Sequence, residues 1–142
     1  MSARPRPAPP SGQPPPARAA LADGTAVDLV ALAAEVCERY RAEYPDEEGR
    51  YGEAGMLWCR HDNQHLLNWA VLHTLEYVSI DEQVAWLAKV LEARDFPLDR
   101  LARDLDIAAE VVGERLTAAG TDAVAAALTG AATMVRSRAT FL

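Results

Sequence analysis

The stretch MLWCRHDNQHLLNWAVLHTLEYV, residues 56–78, decides the fold. Placing its residues at about 100° per residue around a helix axis gathers most of the aliphatic side chains in one sector. That apolar sector comprises Leu66, Leu67, Ala70, Val71, Leu75 and Tyr77. We therefore expect this helix to lie at the centre of an all-α domain, with the other helices packed against it.

The opposite sector of the same helix mixes polar and aromatic residues, and it holds all three histidines and two of the three tryptophans of the chain. Tryptophan is costly to expose, and buried polar groups need hydrogen-bond partners. The mixture therefore predicts a partly buried binding site for a small ligand or a protein partner. The ligand-binding residues that we predict are Trp58, His61, His65, Asn68, Trp69 and His73.

Other interpretations of this sector stay open. His61 and His65 lie one helical turn apart and could ligate a metal ion together with Asp62, if a second helix completed the site. Any of His61, His65 and His73 could serve a metal- or tetrapyrrole-binding helical protein. A polar network that only fixes the register of packed helices is a further alternative. The sequence names no cofactor.

Catalytic motifs are scarce. The chain contains no GxSxG and no HExxH. His73 and Glu76 are three residues apart and could form an acid–base pair, but such a pair on a helix is more often a structural salt bridge. The sequence leaves enzymatic activity open and favours a protein that is not an enzyme.

The flanking sequence predicts about five helices, in a bundle-like or orthogonal arrangement, and no β-sheet. Thr25 marks the start of the first helix, and Pro45 ends it. Residues 45–55 are rich in glycine and are expected to form a loop. A capping box that begins at Ser79 starts the next helix. Gly120 separates the last helix from the one before it.

The stretch PLDRLARDLDIAAEVVGERLTAA, residues 97–119, resembles the general bacterial helix-turn-helix pattern. The resemblance implies two short helices, over about 97–105 and 107–119, and a transcriptional regulator. Two departures argue against DNA as a partner. Asp106 stands where the turn usually has glycine, and the second helix carries two glutamates with Arg115 as its one basic residue, so its face would repel phosphate.

Composition separates a tail from a domain. Residues 1–20 contain seven of the nine prolines, which predicts a disordered proline-rich tail that tethers the domain or docks in an aromatic groove. Residues 21–142 form the single helical domain. They hold 11 basic and 21 acidic residues, a balance that argues against nucleic acid and against anionic membrane surfaces.

Cysteine usage and hydropathy indicate the compartment. Cys37 and Cys59 form neither a CxxC motif nor a disulfide framework. No signal peptide is visible, and no apolar run approaches the roughly 18 residues of a membrane span. We expect a cytoplasmic protein that functions as a non-enzymatic binding or regulatory module. The sequence leaves the oligomeric state and the identity of the ligand or partner open.

Overall fold

Five helices and one short hairpin make up residues 14–142, the part of the chain that the computed structural model describes. In chain order the elements are β1 (Arg18–Ala20), β2 (Ala26–Asp28), α1 (Leu29–Glu43), α2 (Asp46–Thr74), α3 (Ile80–Ala93), α4 (Leu98–Arg115) and α5 (Thr121–Arg136). The predicted all-α class with about five helices is confirmed. Within residues 14–142, every helix is too short or too polar to cross a membrane.

The hairpin corrects the prediction that the chain contains no sheet. β1 and β2 pair antiparallel, with Arg18 opposite Asp28. Strands of three residues are too short to show an alternating pattern in the sequence. The predicted tail, residues 1–20, lies outside the described residues as far as residue 13, whereas its last three residues form β1.

The first helix begins four residues later than the sequence predicts. The residues that follow Thr25 are extended because they pair with β1, so they cannot also be helical. Asp28 is the N-cap instead, and its Oδ1 accepts a hydrogen bond from the backbone N of Ala31 at 3.0 Å. The predicted capping box of α3 is confirmed, because Ser79 Oγ accepts from the backbone N of Glu82 at 3.3 Å.

The predicted loop at residues 45–55 is wrong, because α2 begins at Asp46. The helix is interrupted only at Gly52, where φ is 62° and ψ is −151°. Glycine disfavours helix, and contacts with neighbouring elements outweigh that preference. Glu47 is buried, accepts a hydrogen bond from the Tyr40 hydroxyl of α1 and pairs with Arg100 of α4 at 3.1 Å.

The helix-turn-helix prediction is also wrong at the level of structure, because α4 is one continuous helix. Asp106, at the expected turn, lies mid-helix and pairs with Arg136 of α5 at 2.6 Å. Arg115 pairs with Glu35 of α1 at 2.8 Å, and Arg103 pairs with Glu43 at 2.7 Å. Salt bridges therefore connect the polar face of α4 to α1 and α5.

The core lies where α4 and α5 meet the inner faces of α1 and α2. Small residues allow the last two helices to pack closely. Ala102 and Ala108 of α4 and Ala131 and Ala132 of α5 are fully buried. Larger aliphatic side chains fill the surrounding space, among them Val36, Leu66, Leu105 and Leu128.

Candidate functional site

The predicted polar sector of α2 divides between two concave features. One is a partly open cavity of about 390 Å3 bounded by α1, α2, α3 and α4. The other is an open groove between α2 and α3. Trp58 and Asp62 line the cavity, whereas His65, Asn68 and Trp69 line the groove.

The cavity has mainly apolar and aromatic walls. They comprise Tyr51, Trp58, Leu66, Leu87, Leu91, Phe96 and Leu101. The rings of Tyr51 and Phe96 lie 5.9 Å apart between centroids. Tyr51 takes this position because Gly55 leaves room for it: a Cβ at Gly55 would lie 2.5 Å from the Tyr51 Cβ.

The polar end of the cavity is built around Asn63. Its Nδ2 donates to Asp104 Oδ1 at 3.1 Å and to the backbone oxygen of Cys59 at 2.9 Å. Its Oδ1 is buried and has no hydrogen-bond partner within residues 14–142. A buried amide oxygen without a donor is costly. This end of the cavity is therefore matched to a group that can donate a hydrogen bond.

Burial controls the ionisation of the two carboxyl groups beside Asn63. It raises the pKa of Asp104 to about 7, and the negative charges of Asp62 and Glu47 act in the same direction while the Asn63 hydrogen bond opposes them. Burial also raises the pKa of Asp62, although His61 Nδ1 lies 3.1 Å from its Oδ1. A cation placed nearby would stabilise the ionised form of both carboxyl groups.

Two thiols adjoin the same amide. The Sγ atoms of Cys37 and Cys59 each lie 3.5 Å from Asn63 Nδ2. A hydrogen bond with Cys37, together with burial, raises the pKa of the Cys59 thiol. Cys59 therefore stays protonated near neutral pH, which makes it a poor nucleophile.

Unpaired donors also belong to residues of the cavity wall. Trp58 Nε1 and Arg41 Nη1 are buried and find no acceptor in the described part of the chain. The Arg94 guanidinium lies 5.6 Å from the centroid of a Trp58 ring, in a cation–π arrangement. The cavity thus combines acceptors on α2 and α4 with donors on α1 and α2.

The groove between α2 and α3, which we call the tryptophan groove, is lined by Pro14, Pro16, His65, Asn68, Trp69, Glu82, Gln83 and Trp86. Helical spacing along α2 brings three aromatic rings close together beside the groove, in edge-on and tilted arrangements. The centroids of His61 and His65 are 4.7 Å apart, and those of His65 and Trp69 are 5.6 Å apart. Neighbouring rings at this spacing follow from the i, i+4 pattern of the sequence.

The structure gives no support to the predicted metal site. Within residues 14–142, no group of three or more histidine, cysteine, aspartate or glutamate side chains is placed to hold a metal ion. The metal site at His61, His65 and Asp62 therefore remains a prediction from the sequence. None of the three histidines of the chain lines the cavity.

His73 has a structural role at the end of α2. Its Nδ1 accepts a hydrogen bond from the backbone N of Ile80 at 3.2 Å, so it ties α2 to the start of α3. Glu76 lies in the connection between these helices with φ of 63°. The Nδ1 lone pair of His73 is therefore already used in a hydrogen bond to the backbone.

Sequence reasoning missed Asn63 and Asp104, the pair at the polar end of the cavity. Asp104 left a signal, because it lies three residues after Leu101 and four before Ala108, on the buried face of α4. An acidic residue on such a face needs a partner or a function. The sequence contains no comparable signal for Asn63, because its neighbours Cys37 and Asp104 are distant in sequence.

Neither family models nor curated proteins nor solved structures gave a match to this chain. The class that the fold and the site define is a five-helix domain with a hairpin at its start and a mostly apolar cavity at its centre.

Proposed function

We propose that this domain is a non-enzymatic binding module that takes a small aromatic or aliphatic amine into the cavity. The observation that carries the proposal is that the cavity is apolar along its walls and polar at one end. Its walls are apolar, and its polar end is a buried Asn63–Asp104 pair in which Asn63 Oδ1 lacks a donor.

Size and wall chemistry support a small ligand. Ligand pockets are typically about 300–1,000 Å3, mostly apolar, with a few polar groups that fix orientation. A cavity of about 390 Å3 lies at the small end of this range. It is suited to one aromatic ring or a short aliphatic chain, held by burial of apolar surface at roughly 25 cal/mol per Å2.

Three carboxyl groups line the cavity against two arginines, and this balance favours an amine. Five charged side chains line the cavity, namely Arg41, Glu47, Asp62, Arg94 and Asp104. Glu47 is already paired with Arg100. The hydrogen-bond donor to Asp104 is an uncharged amide. An ammonium group would donate to Asn63 Oδ1 and neutralise the carboxylate of Asp104.

The side chains of the cavity support binding more than catalysis. A nucleophile requires activation by a neighbouring base, and Cys59 instead has a raised pKa. Both cysteines are free thiols, which supports the further proposal that the protein works in a reducing compartment such as the cytoplasm.

The test is calorimetric titration at pH 8 with three probes of similar shape: 2-phenylethylamine, 2-phenylethanol and 3-phenylpropionate. We expect the amine to bind most tightly and the carboxylate most weakly. Asp104→Asn should weaken amine binding about tenfold or more, because a hydrogen bond to a charged group contributes about 1.5–3 kcal/mol, and should leave alcohol binding nearly unchanged.

Two further variants separate the cavity from the rest of the molecule. Leu91→Trp fills the cavity and should abolish binding of all three probes. Asn68→Ala removes a side chain of the tryptophan groove and should have no effect. Saturable binding of none of the probes, or tightest binding of 3-phenylpropionate, would contradict the proposal.

A further inference from the structure

Three consecutive prolines, residues 14–16, lie against the tryptophan groove. Pro14 and Pro16 line it together with Trp69 of α2 and Trp86 of α3. Gln64 Nε2 donates to the backbone oxygen of Pro16 at 3.3 Å. Trp86 is still 42% exposed, whereas Trp69 is 9% exposed and also belongs to the hydrophobic core.

The hairpin holds the end of this proline segment in place. β1 begins at Arg18, two residues after Pro16, and pairs with β2. Ala17 also accepts a hydrogen bond through its backbone oxygen from the N of Leu29, at 3.0 Å. The segment therefore reaches the groove from a fixed point on the fold.

The chemistry of the segment matches that of the groove. Proline fixes φ near −65°, and a residue that precedes proline is driven to extended ψ, so Pro14 and Pro15 favour the polyproline II conformation. This helix has no internal hydrogen bonds, and its carbonyls need external donors. Gln64 supplies one, and the amides of Asn68 and Gln83 line the groove. Grooves lined by aromatic rings recognise such segments in other proteins.

We propose that the tryptophan groove is a recognition site for polyproline II segments, and that its occupant in this protein is the chain's own segment Pro14–Pro16. The segment closes the groove in cis, and a proline-rich segment of a partner binds there only by displacing it. The proposal is independent of the cavity and of its ligand.

Tethering decides which segment occupies the groove. A segment linked to the groove in the same chain competes at an effective concentration on the order of millimolar. If its intrinsic Kd for the groove is about 0.1 mM, it lowers the apparent affinity for an identical free peptide about tenfold. The intact chain should therefore bind proline peptides poorly, and weakening its own segment should reveal the site.

The experiment uses the full chain with Trp58→Phe, which leaves Trp69 and Trp86 as the tryptophan reporters. It compares this chain with one that also carries Pro14→Ser, Pro15→Ser and Pro16→Ser. The peptide SGQPPPAR, residues 11–18, is titrated into both, and fluorescence is measured. We expect at least about tenfold tighter binding by the triple-serine chain, and no binding of the control peptide SGQSSSAR.

Trp86→Ala in the triple-serine chain should remove peptide binding, whereas Tyr77→Ala, which removes an exposed ring outside the groove, should not. Circular dichroism melts establish that each variant folds. Equal binding by the two chains, binding of neither peptide, or equal binding of the serine peptide would overturn the proposal. A dimer of the intact chain that dissociates in the triple-serine chain would also overturn it, because the groove would then hold the segment of a second copy.

Discussion

Asn63 and Asp104 determine the chemistry at the polar end of the cavity. Both side chains are nearly inaccessible to solvent, at 2% and 7% exposure. The Asp104 carboxyl must either keep its proton or carry an uncompensated charge in a poorly solvated place. This conflict should appear in the pH dependence of folding.

The Asp104 carboxyl has a pKa of about 7 in the folded protein, against an ordinary value of 3.8. A raised folded pKa means that its contribution to stability is full below about pH 4 and is lost as the pH rises through 7. We predict that Asp104→Asn flattens the fall in unfolding free energy between about pH 4 and 7. At pH 8 it should increase that free energy by about 2–4 kcal/mol, since one pKa unit corresponds to about 1.4 kcal/mol. Urea unfolding at several pH values measures both effects.

Asp99→Asn is the matched control, because it removes an exposed carboxyl from the first turn of the same helix. It should leave the shape of the pH profile unchanged. If Asp104→Asn instead lowers stability at pH 8, the carboxylate is better compensated than its surroundings indicate.

At the scale of elements, α2 shows how tertiary contacts can build a helix from a sequence that predicts a loop. Its first turns contain Gly49 and end at Gly52, whose φ and ψ lie in a region that is essentially restricted to glycine. Asp46 and Glu47 pair with Arg100 of α4 at 3.0 and 3.1 Å, and this anchors the segment. The conformation at Gly52 lets the segment meet the rest of α2 at an angle.

The two glycines should respond in opposite ways to a methyl group. Gly52→Ala should lower the unfolding free energy by about 1–3 kcal/mol, because the backbone there is strained for any other residue. Gly49→Ala should raise it by up to about 1 kcal/mol, because Gly49 is helical and a Cβ there meets nothing within 4 Å. Chemical denaturation distinguishes the two, and an equal response would show that Gly52 has no special role.

Signals within one element were predicted well from the sequence. Ser79 fixed the start of α3 because an N-cap acts on its own helix. The ring contacts of His61, His65 and Trp69 follow from helical spacing. Signals between elements were missed. The hairpin requires residues 18–20 to meet residues 26–28. Helix α4 continues through Asp106 because no glycine or proline lies next to it and Arg136 compensates its charge.

The whole molecule depends on close packing of α4 against α5. Alanines at the contact let the backbones approach, and Ala108, Ala131 and Ala132 have no exposed surface. Protein interiors are packed as densely as organic crystals, so the contact has little room for added volume. The alanine-rich composition is thus a structural requirement at these positions.

Added volume at this contact should destabilise the fold. Ala131→Leu should lower the unfolding free energy by about 1–3 kcal/mol, because larger side chains in a packed core force rotamers and backbone to shift. Ala126→Leu, at an exposed position of the same helix, is the control and should change stability little. Thermal melts measure both; a stabilised Ala131→Leu protein would indicate unfilled space between the helices.

The cavity is also a property of the whole molecule, which explains why the sequence predicted it only in part. Its lining comes from α1, α2, α3 and α4, so the arrangement of four helices decides which side chains meet. Trp58 and Asp62 were predicted because they share a helix with the histidines. Tyr40 and Asp104 lie on other helices, and only the packed structure brings them to the cavity that Asn63 lines.

The two thiols beside Asn63, of which Cys37 is buried and Cys59 is partly buried, can report how often the molecule opens. Thiol reagents attack the thiolate, and Cys37 is only 2% exposed while the pKa of Cys59 is raised. A bulky alkylating agent should therefore modify Cys37 only in molecules that have opened. Under conditions where labelling outpaces reclosure, the rate of mass gain in native buffer equals the opening rate. Mass spectrometry can thus time the spontaneous unfolding of this protein without denaturant, tag or fluorophore.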